Sequence, residues 1–222
     1  MDINPAAHAL RVTSHDQYST SGHLTPLNVA PSPLDQLRAW FTHALENGVR
    51  EPEAMNLATS TASGVPSSRI VLLKQVDDHG LVFFTNYTSR KSTELSENPH
   101  AAVSLYWKEI SRQVRVVGRV EKVDEKESDE YYATRPRGSR VGAWASPQSQ
   151  SLREDELDTR VNEIEQKYDG QEDIPRPSFW GGWRIIPLEV EFWMGKPSRL
   201  HDRVQYLREN VNADWTIRRI AP

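Results

Sequence analysis

From Met55 onward the chain abandons helical spacing and alternates apolar with polar side chains at a period of two, in many short runs. Met55–Ser60, Ser67–Val76, Leu81–Asn86, His100–Lys108, Arg112–Val123, Trp183–Met194, Ser198–Leu207 and Trp215–Ile220 all read as strands. Turn-forming stretches punctuate them, among them Ser63-Gly64-Val65-Pro66 and Asp77-Asp78-His79-Gly80. The expected fold is mainly β with peripheral helices (α+β), an antiparallel barrel carrying its helices outside.

Helical signals flank and interrupt this pattern. Ser32 can cap a helix opened by Pro33, with Leu34, Leu37, Trp40, Phe41, Ala44 and Leu45 at helical spacing and Gly48 as the stop. Ser89–Asn98, Asp124–Thr134 and the strongly charged Ser151–Tyr168 read as further helices. Residues 1–31 are poor in large apolar side chains and rich in Ser, Thr, Pro, Ala and His, so they are expected to form a flexible arm. Residues 32–222 are then a single domain.

Composition narrows the function. The 222 residues contain no cysteine, which removes disulfides, thiolate metal sites and a cysteine nucleophile. A net charge of −4 argues against a nucleic-acid binder. No apolar run reaches the roughly 18 residues of a membrane span, and the N-terminus has no signal-peptide core. A soluble cytoplasmic protein is expected. There is also no Walker loop and no GxGxxG after a strand, so a phosphorylated cofactor would need another scheme.

Several clusters could supply one. Arg90 and Lys91 fall in the first turn of a helix capped by Thr88 or Ser89, where the dipole disfavours cations unless an anion binds there; a solvated surface pair is equally consistent. Period two puts Arg69 and Lys74 on opposite faces of one strand, toward two subsites or toward solvent. Tyr131 and Arg135 share a helical face, and Ser139 follows in a turn that could fold back beside them as a phosphate or carboxylate site; a helix-terminal arginine explains the same residues. On a strand, Arg199, His201 and Arg203 line one face, which asks for an anionic or electron-rich partner, and the histidine could exchange protons near neutral pH. Trp180, Trp183 and Trp193 could stack on a flat ring or simply pack in the core.

Taken together in order and spacing, these blocks resemble the pyridoxamine 5′-phosphate oxidase family. The resemblance runs through Arg69–Lys74, Phe83-Phe84-Thr85-Asn86 with Ser89-Arg90-Lys91, Arg112-Gln113-Val114, Ser139 to Trp144, Gln148-Ser149, Pro177 to Gly182, Glu191-Phe192-Trp193, Arg199-Leu200-His201-Asp202-Arg203 and the closing Arg219-Ile220-Ala221-Pro222. It implies an FMN-binding split β-barrel and a homodimer with FMN at the subunit interface. By matching position it implies FMN contacts from Arg69, Ile70, Val71, Leu72, Leu73, Lys74, Phe84, Thr85, Arg90, Lys91, Gln113, Gln148, Ser149, Trp193 and Arg203. It further implies substrate contacts from Lys74, Tyr131, Arg135, Ser139, Arg199, Leu200 and His201, with Tyr18 from the arm, and catalytic roles for Arg199 and His201. Phe84 stands where some members have tyrosine, and His15-Asp16 stand where an arginine would be sought.

The implied activity is oxidation of pyridoxamine or pyridoxine 5′-phosphate to pyridoxal 5′-phosphate with dioxygen as acceptor. A non-catalytic flavin-binding split-barrel protein and a pyridoxal-phosphate carrier are the alternatives. No metal is implied.

Overall fold

A computed structural model of the chain describes residues 17, 18, 20 and 22–222. Most of the arm expected to be flexible therefore lies outside the described residues. Its final stretch is packed: Leu24 is buried in the core, and Tyr206 donates its hydroxyl to the carbonyl of Ala30 at 2.6 Å.

Among the described residues, nine strands form one antiparallel sheet: β1 Ala54–Ser60, β2 Pro66–Leu72, β3 Gln75–Val76, β4 Leu81–Asn86, β5 His100–Trp107, β6 Arg112–Lys122, β7 Trp180–Met194, β8 Asp202–Leu207 and β9 Thr216–Arg219. Their spatial order is β2-β1-β5-β6-β7-β4-β3, with β8 also on β7 and β9 on β8. β7 explains the shape. One of its edges pairs with β6 along nearly its whole length, whereas the other is shared between β4, on Trp180–Ile185, and β8, on Glu189–Met194. The sheet therefore forks halfway along β7. A register shift at Val117/Gly118 lets β6 follow the bend, and only glycine fits there, since a Cβ at Gly118 would lie 2.1 Å from the carbonyl oxygen of Ile186.

Period two is visible in the packing. Leu105, Val114, Phe192 and Val204 face one another across four strands and are fully buried. Helix α1 (Pro33–Glu46) closes this core with Leu34, Leu37, Trp40 and Ala44, and Trp40 meets Phe192 edge to face at 5.1 Å. Ser32 caps α1 through its side chain, as its sequence predicts. The other helices, α2 Arg90–Glu97, α3 Glu125–Ala133, α4 Arg137–Ala145 and α5 Glu156–Lys167, lie outside the sheet.

Three expectations need correction. The strand over Ser67–Val76 is broken at Leu73–Lys74, because the chain changes partner there: Leu73 N–H bonds Glu53 beside β1, and Lys74 N–H bonds Val82 on β4. Ser139 is not in a turn but in α4, a helix without a clear sequence signal, and Arg135 lies beyond the end of α3. The strand expected from Ser198 begins only at Asp202. Pro197–Arg199 form a 3-10 turn in which Ser198 and Arg199 take φ of 57° and 60°, so Arg199 does not share a strand face with His201 and Arg203.

Candidate functional site

The first cluster lies where β4 runs into α2. Arg90 and Lys91 occupy the first turn of α2 with no acidic residue beside them in that turn. Lys91 is buried, and its Nζ donates to Gln148 Oε1 at 2.7 Å, Thr85 Oγ1 at 3.1 Å and Ser89 Oγ at 3.2 Å. All three are neutral oxygens. Burial, with the nearby Arg69 charge, pulls the Lys91 ammonium down to about 8 from its ordinary value.

Arg69 reaches the same place from β2, donating to Thr59 Oγ1 at 2.6 Å and to Ser67 Oγ. One carboxylate answers these cations. Glu94 on α2 accepts from Arg90 Nε at 2.8 Å and lies 3.6 Å from Arg69 Nη2. It also accepts from Ser67 Oγ at 2.6 Å and from Thr59 Oγ1. Burial opposes its ionisation, but the hydroxyls and Arg90 outweigh burial and hold the carboxyl at about 2. A cavity of about 360 Å³ opens beside this cluster, lined by Arg90, Glu94, Glu97, Thr88, Gln148 and Ser149, and Lys91 reaches its wall through Gln148. Arg69, Arg90 and Lys91 outnumber the carboxylates Glu94 and Glu97 by one. Ser149 holds a left-handed φ of 72°, a strained conformation of the kind found at ligand sites.

A second cavity of about 170 Å³ adjoins through Gln148 and is lined by Asn86, Arg135, Ser139, Gly142, Ser146 and Trp180. The Arg135 guanidinium lies 4.5 Å over Trp180, and its Nη1 is buried with no hydrogen-bond partner among the described residues. Tyr131 does come near, though by ring stacking rather than on a shared helix face. It lies 3.9 Å from Phe84 and 6.2 Å from Trp180, nearly parallel to both.

The third cluster sits at the opposite end of β7. Tyr106, Gln113, Trp193 and Arg203 face one another across β5, β6, β7 and β8, on the face opposite the Leu105–Val204 core row. Arg203 forks onto Glu191, with Nε–Oε1 at 2.7 Å and Nη2–Oε2 at 3.0 Å, and gives Nη1 to the Ala221 carbonyl. His201 packs 4.6 Å from Trp193 and 5.4 Å from Tyr18. Burial and the charges of Arg199 and Arg203 lower its pKa. Tyr18 rests on Gly195, where a Cβ would come within 2.5 Å of its ring. Arg199 and Leu200 are exposed.

Between Gly182 and Trp193 the strand advances roughly 35 Å at about 3.3 Å per residue. The Trp180 end of β7, at the second cluster, and its Trp193 end, at the third, are thus held well apart within one chain. Ile70, Leu72 and Lys74 form a fourth group, exposed along the β2 edge and at its break, while Val71 and Leu73 turn toward the core. Glu94, Thr59, Ser67 and Glu191 were not anticipated from sequence. Only the Arg90–Glu94 spacing of four on one helix could have flagged any of them.

A family model described as pyridoxamine 5′-phosphate oxidase matches residues 41–168, and one described as the pyridoxine 5′-phosphate oxidase C-terminal dimerisation region matches residues 180–222. The pyridoxine/pyridoxamine 5′-phosphate oxidase of Salinibacter ruber is 50% identical over 196 residues, covering 88% of this chain and 91% of its own. That of a Nostoc species is 52% identical over 206 residues, covering 92% and 95%. Among solved structures, PhzG from Burkholderia lata, bound to tetrahydrophenazine-1-carboxylic acid, superposes with a TM-score of 0.83 at 33% identity, covering 89% of this chain and 96% of that one. A pyridoxamine 5′-phosphate oxidase-related, FMN-binding protein of Nostoc punctiforme shares the fold at a TM-score of 0.69 and 19% identity, covering 86% and 98%. The forked antiparallel sheet is thus a split β-barrel, and the chain belongs to the pyridoxamine 5′-phosphate oxidase family.

Proposed function

We propose that this protein is an FMN-dependent oxidase of the cytoplasm that converts pyridoxamine or pyridoxine 5′-phosphate to pyridoxal 5′-phosphate, acting as a homodimer. The observation that carries the reading is Lys91, a buried ammonium with only neutral partners, set beside two arginines that share a single carboxylate. Its excess of positive charge suits a phosphate monoester, which carries about −1.5 to −2 at neutral pH. Arg69, Arg90 and Lys91 would hold the FMN phosphate, with Thr85, Gln148 and Ser149 around it. When bound, the flavin supplies hydride acceptance from the substrate carbon and reoxidation by dioxygen to hydrogen peroxide.

The adjoining cavity supports a second anion site. Arg135 offers a buried N–H that has no partner among the described residues, and Ser139 lines the same cavity. The substrate phosphate is assigned there, with Tyr131 and, from the β2 break, Lys74. Anchoring it fixes the reacting carbon and lowers the entropic cost of reaction. In this reading Gln113, Trp193, Arg199, Leu200, His201 and Arg203 serve the site of a second copy, with FMN at the interface. The second and third clusters stand at opposite ends of β7 in one chain, which supports that arrangement. The dimerisation-region match over residues 180–222 supports it as well. For the amine the atoms balance as substrate plus water plus dioxygen giving aldehyde, ammonia and hydrogen peroxide. For the alcohol no water is consumed and no ammonia is released.

The test mixes FMN-loaded protein anaerobically with each substrate and then admits air. Loss of flavin absorbance, followed by its return with pyridoxal phosphate and peroxide, is the expected result. A flavin that binds but never bleaches would leave a flavin carrier, and no flavin binding would remove the reading altogether.

A further inference from the structure

Two carboxylates line the cavity of the first cluster, an exposed Glu97 and a buried Glu94, and it is Glu94 that pairs with the arginines. Its side chain is 4% exposed. It joins three elements: α2 through Arg90, β2 through Ser67 and Arg69, and β1 through Thr59. The arrangement is layered. Arg69 gives Nη1 to Thr59 and Nη2 to Ser67, and the same two hydroxyls pass their protons to Glu94 Oε2. Arg90 uses Nε for Glu94 Oε1, and none of its other N–H groups is spent on the carboxylate.

A carboxylate beside an anion site should weaken anion binding by simple Coulomb repulsion. Its burial under two arginines has a different consequence. Without it, Arg69 and Arg90 would repel each other across a shielded gap, and each long side chain would be free to swing into solvent. Fixing a guanidinium before the ligand arrives removes that ordering cost from binding.

We propose that Glu94 is a positioning residue that pre-orients Arg69 and Arg90 for the phosphate of the bound flavin, an inference that rests on the FMN reading of this cluster. Arg90 lines the cavity with its remaining N–H groups because Glu94 behind it takes Nε, while Arg69 is held beside the same carboxylate by Thr59 and Ser67. The hydroxyls of Thr59 and Ser67 relay the constraint from Glu94 to Arg69.

The test compares FMN with riboflavin, which has the same ring system and no phosphate. Flavin is stripped from the full-length protein, and binding of each is followed by quenching of flavin fluorescence. Glu94→Gln should weaken FMN about tenfold, the worth of one charge-assisted hydrogen bond, while riboflavin changes less than about twofold. Thr59→Val, a milder change of similar shape, should lower the same FMN-to-riboflavin ratio by a smaller factor. Tighter FMN binding by Glu94→Gln would show that Coulomb repulsion alone governs, and equal weakening of both flavins would show a purely structural role; either overturns the proposal. Wild-type protein that binds both flavins equally would instead overturn the assignment of the phosphate to this cluster.

Discussion

Lys196 gives its backbone N–H to Nδ1 of His201 at 3.1 Å, and this bond decides what the imidazole can do. A backbone N–H only donates, so Nδ1 must hold a lone pair and the ring proton of the neutral form sits on Nε2. The groups facing the ring are Arg199, Arg203, Lys196, Trp193 and Tyr18, and none is a carboxylate that would favour imidazolium. In this tautomer His201 presents Nε2–H as a hydrogen-bond donor, and burial together with the Arg199 and Arg203 charges disfavours its imidazolium form. Nitrogen-15 shifts of the ring should report the Nε2–H tautomer and a midpoint below the ordinary 6.5. A midpoint above that value would contradict the assignment.

Much of the fold was legible because period two leaves a strong trace where one sheet face is buried. The Leu105, Val114, Phe192 and Val204 row is such a case. Helix α4 left none. Gly138 and Gly142 lower its propensity, and its apolar residues Val141 and Trp144 pack into a small separate cluster with Tyr168 and Ile174. Left-handed φ at Ser198 and Arg199 has no sequence signature, so the alternation there imitated a strand. The cations of the site could be read from sequence, but not the carboxylates that organise them. Glu94 meets Thr59 and Ser67, and Glu191 meets Arg203, only through strand pairing and helix docking.

Arg203→Ala should destabilise the fold as well as affect the site. Glu191 is 3% exposed and is bonded twice by Arg203, so the truncation leaves a buried carboxylate. Arg115, 3.6 Å away, retains part of the compensation. The expected cost is roughly 2–3 kcal/mol, below the range for losing the only partner of a buried charge. Denaturant unfolding measures it, and Arg203→Met with Glu191→Met should recover most of the loss. Arg199→Ala, at an exposed turn, should leave stability within about 0.5 kcal/mol.

Gly195→Ala tests whether the arm serves the site. The new methyl would meet the Tyr18 ring at 2.5 Å and Trp193 at 3.1 Å. The arm is the easier of the two to shift, because Trp193 is held within β7. Turnover should then show a raised KM for the phosphorylated substrate with FMN affinity nearly unchanged. Unaltered KM would mean that Tyr18 takes no part in holding substrate.

Lys91 gives the sharpest pH signature, because stability and ligand binding should move in opposite directions. Its ammonium is pulled down to about 8 from 10.5 in the folded chain. Between those values the unfolded chain binds more protons than the folded one, so stability of the flavin-free protein should rise with pH across that window. FMN binding needs the charged ammonium, so affinity should hold below about 8 and then fall by up to tenfold per pH unit. Lys91→Met should weaken FMN at neutral pH and flatten both dependences. Fluorescence titration of FMN and denaturant unfolding of the flavin-free protein, each run from pH 7 to pH 10 or so, measure the two slopes. Slopes of the same sign would place the titrating group elsewhere. Opposite slopes that vanish together in Lys91→Met would assign them to this one buried amine.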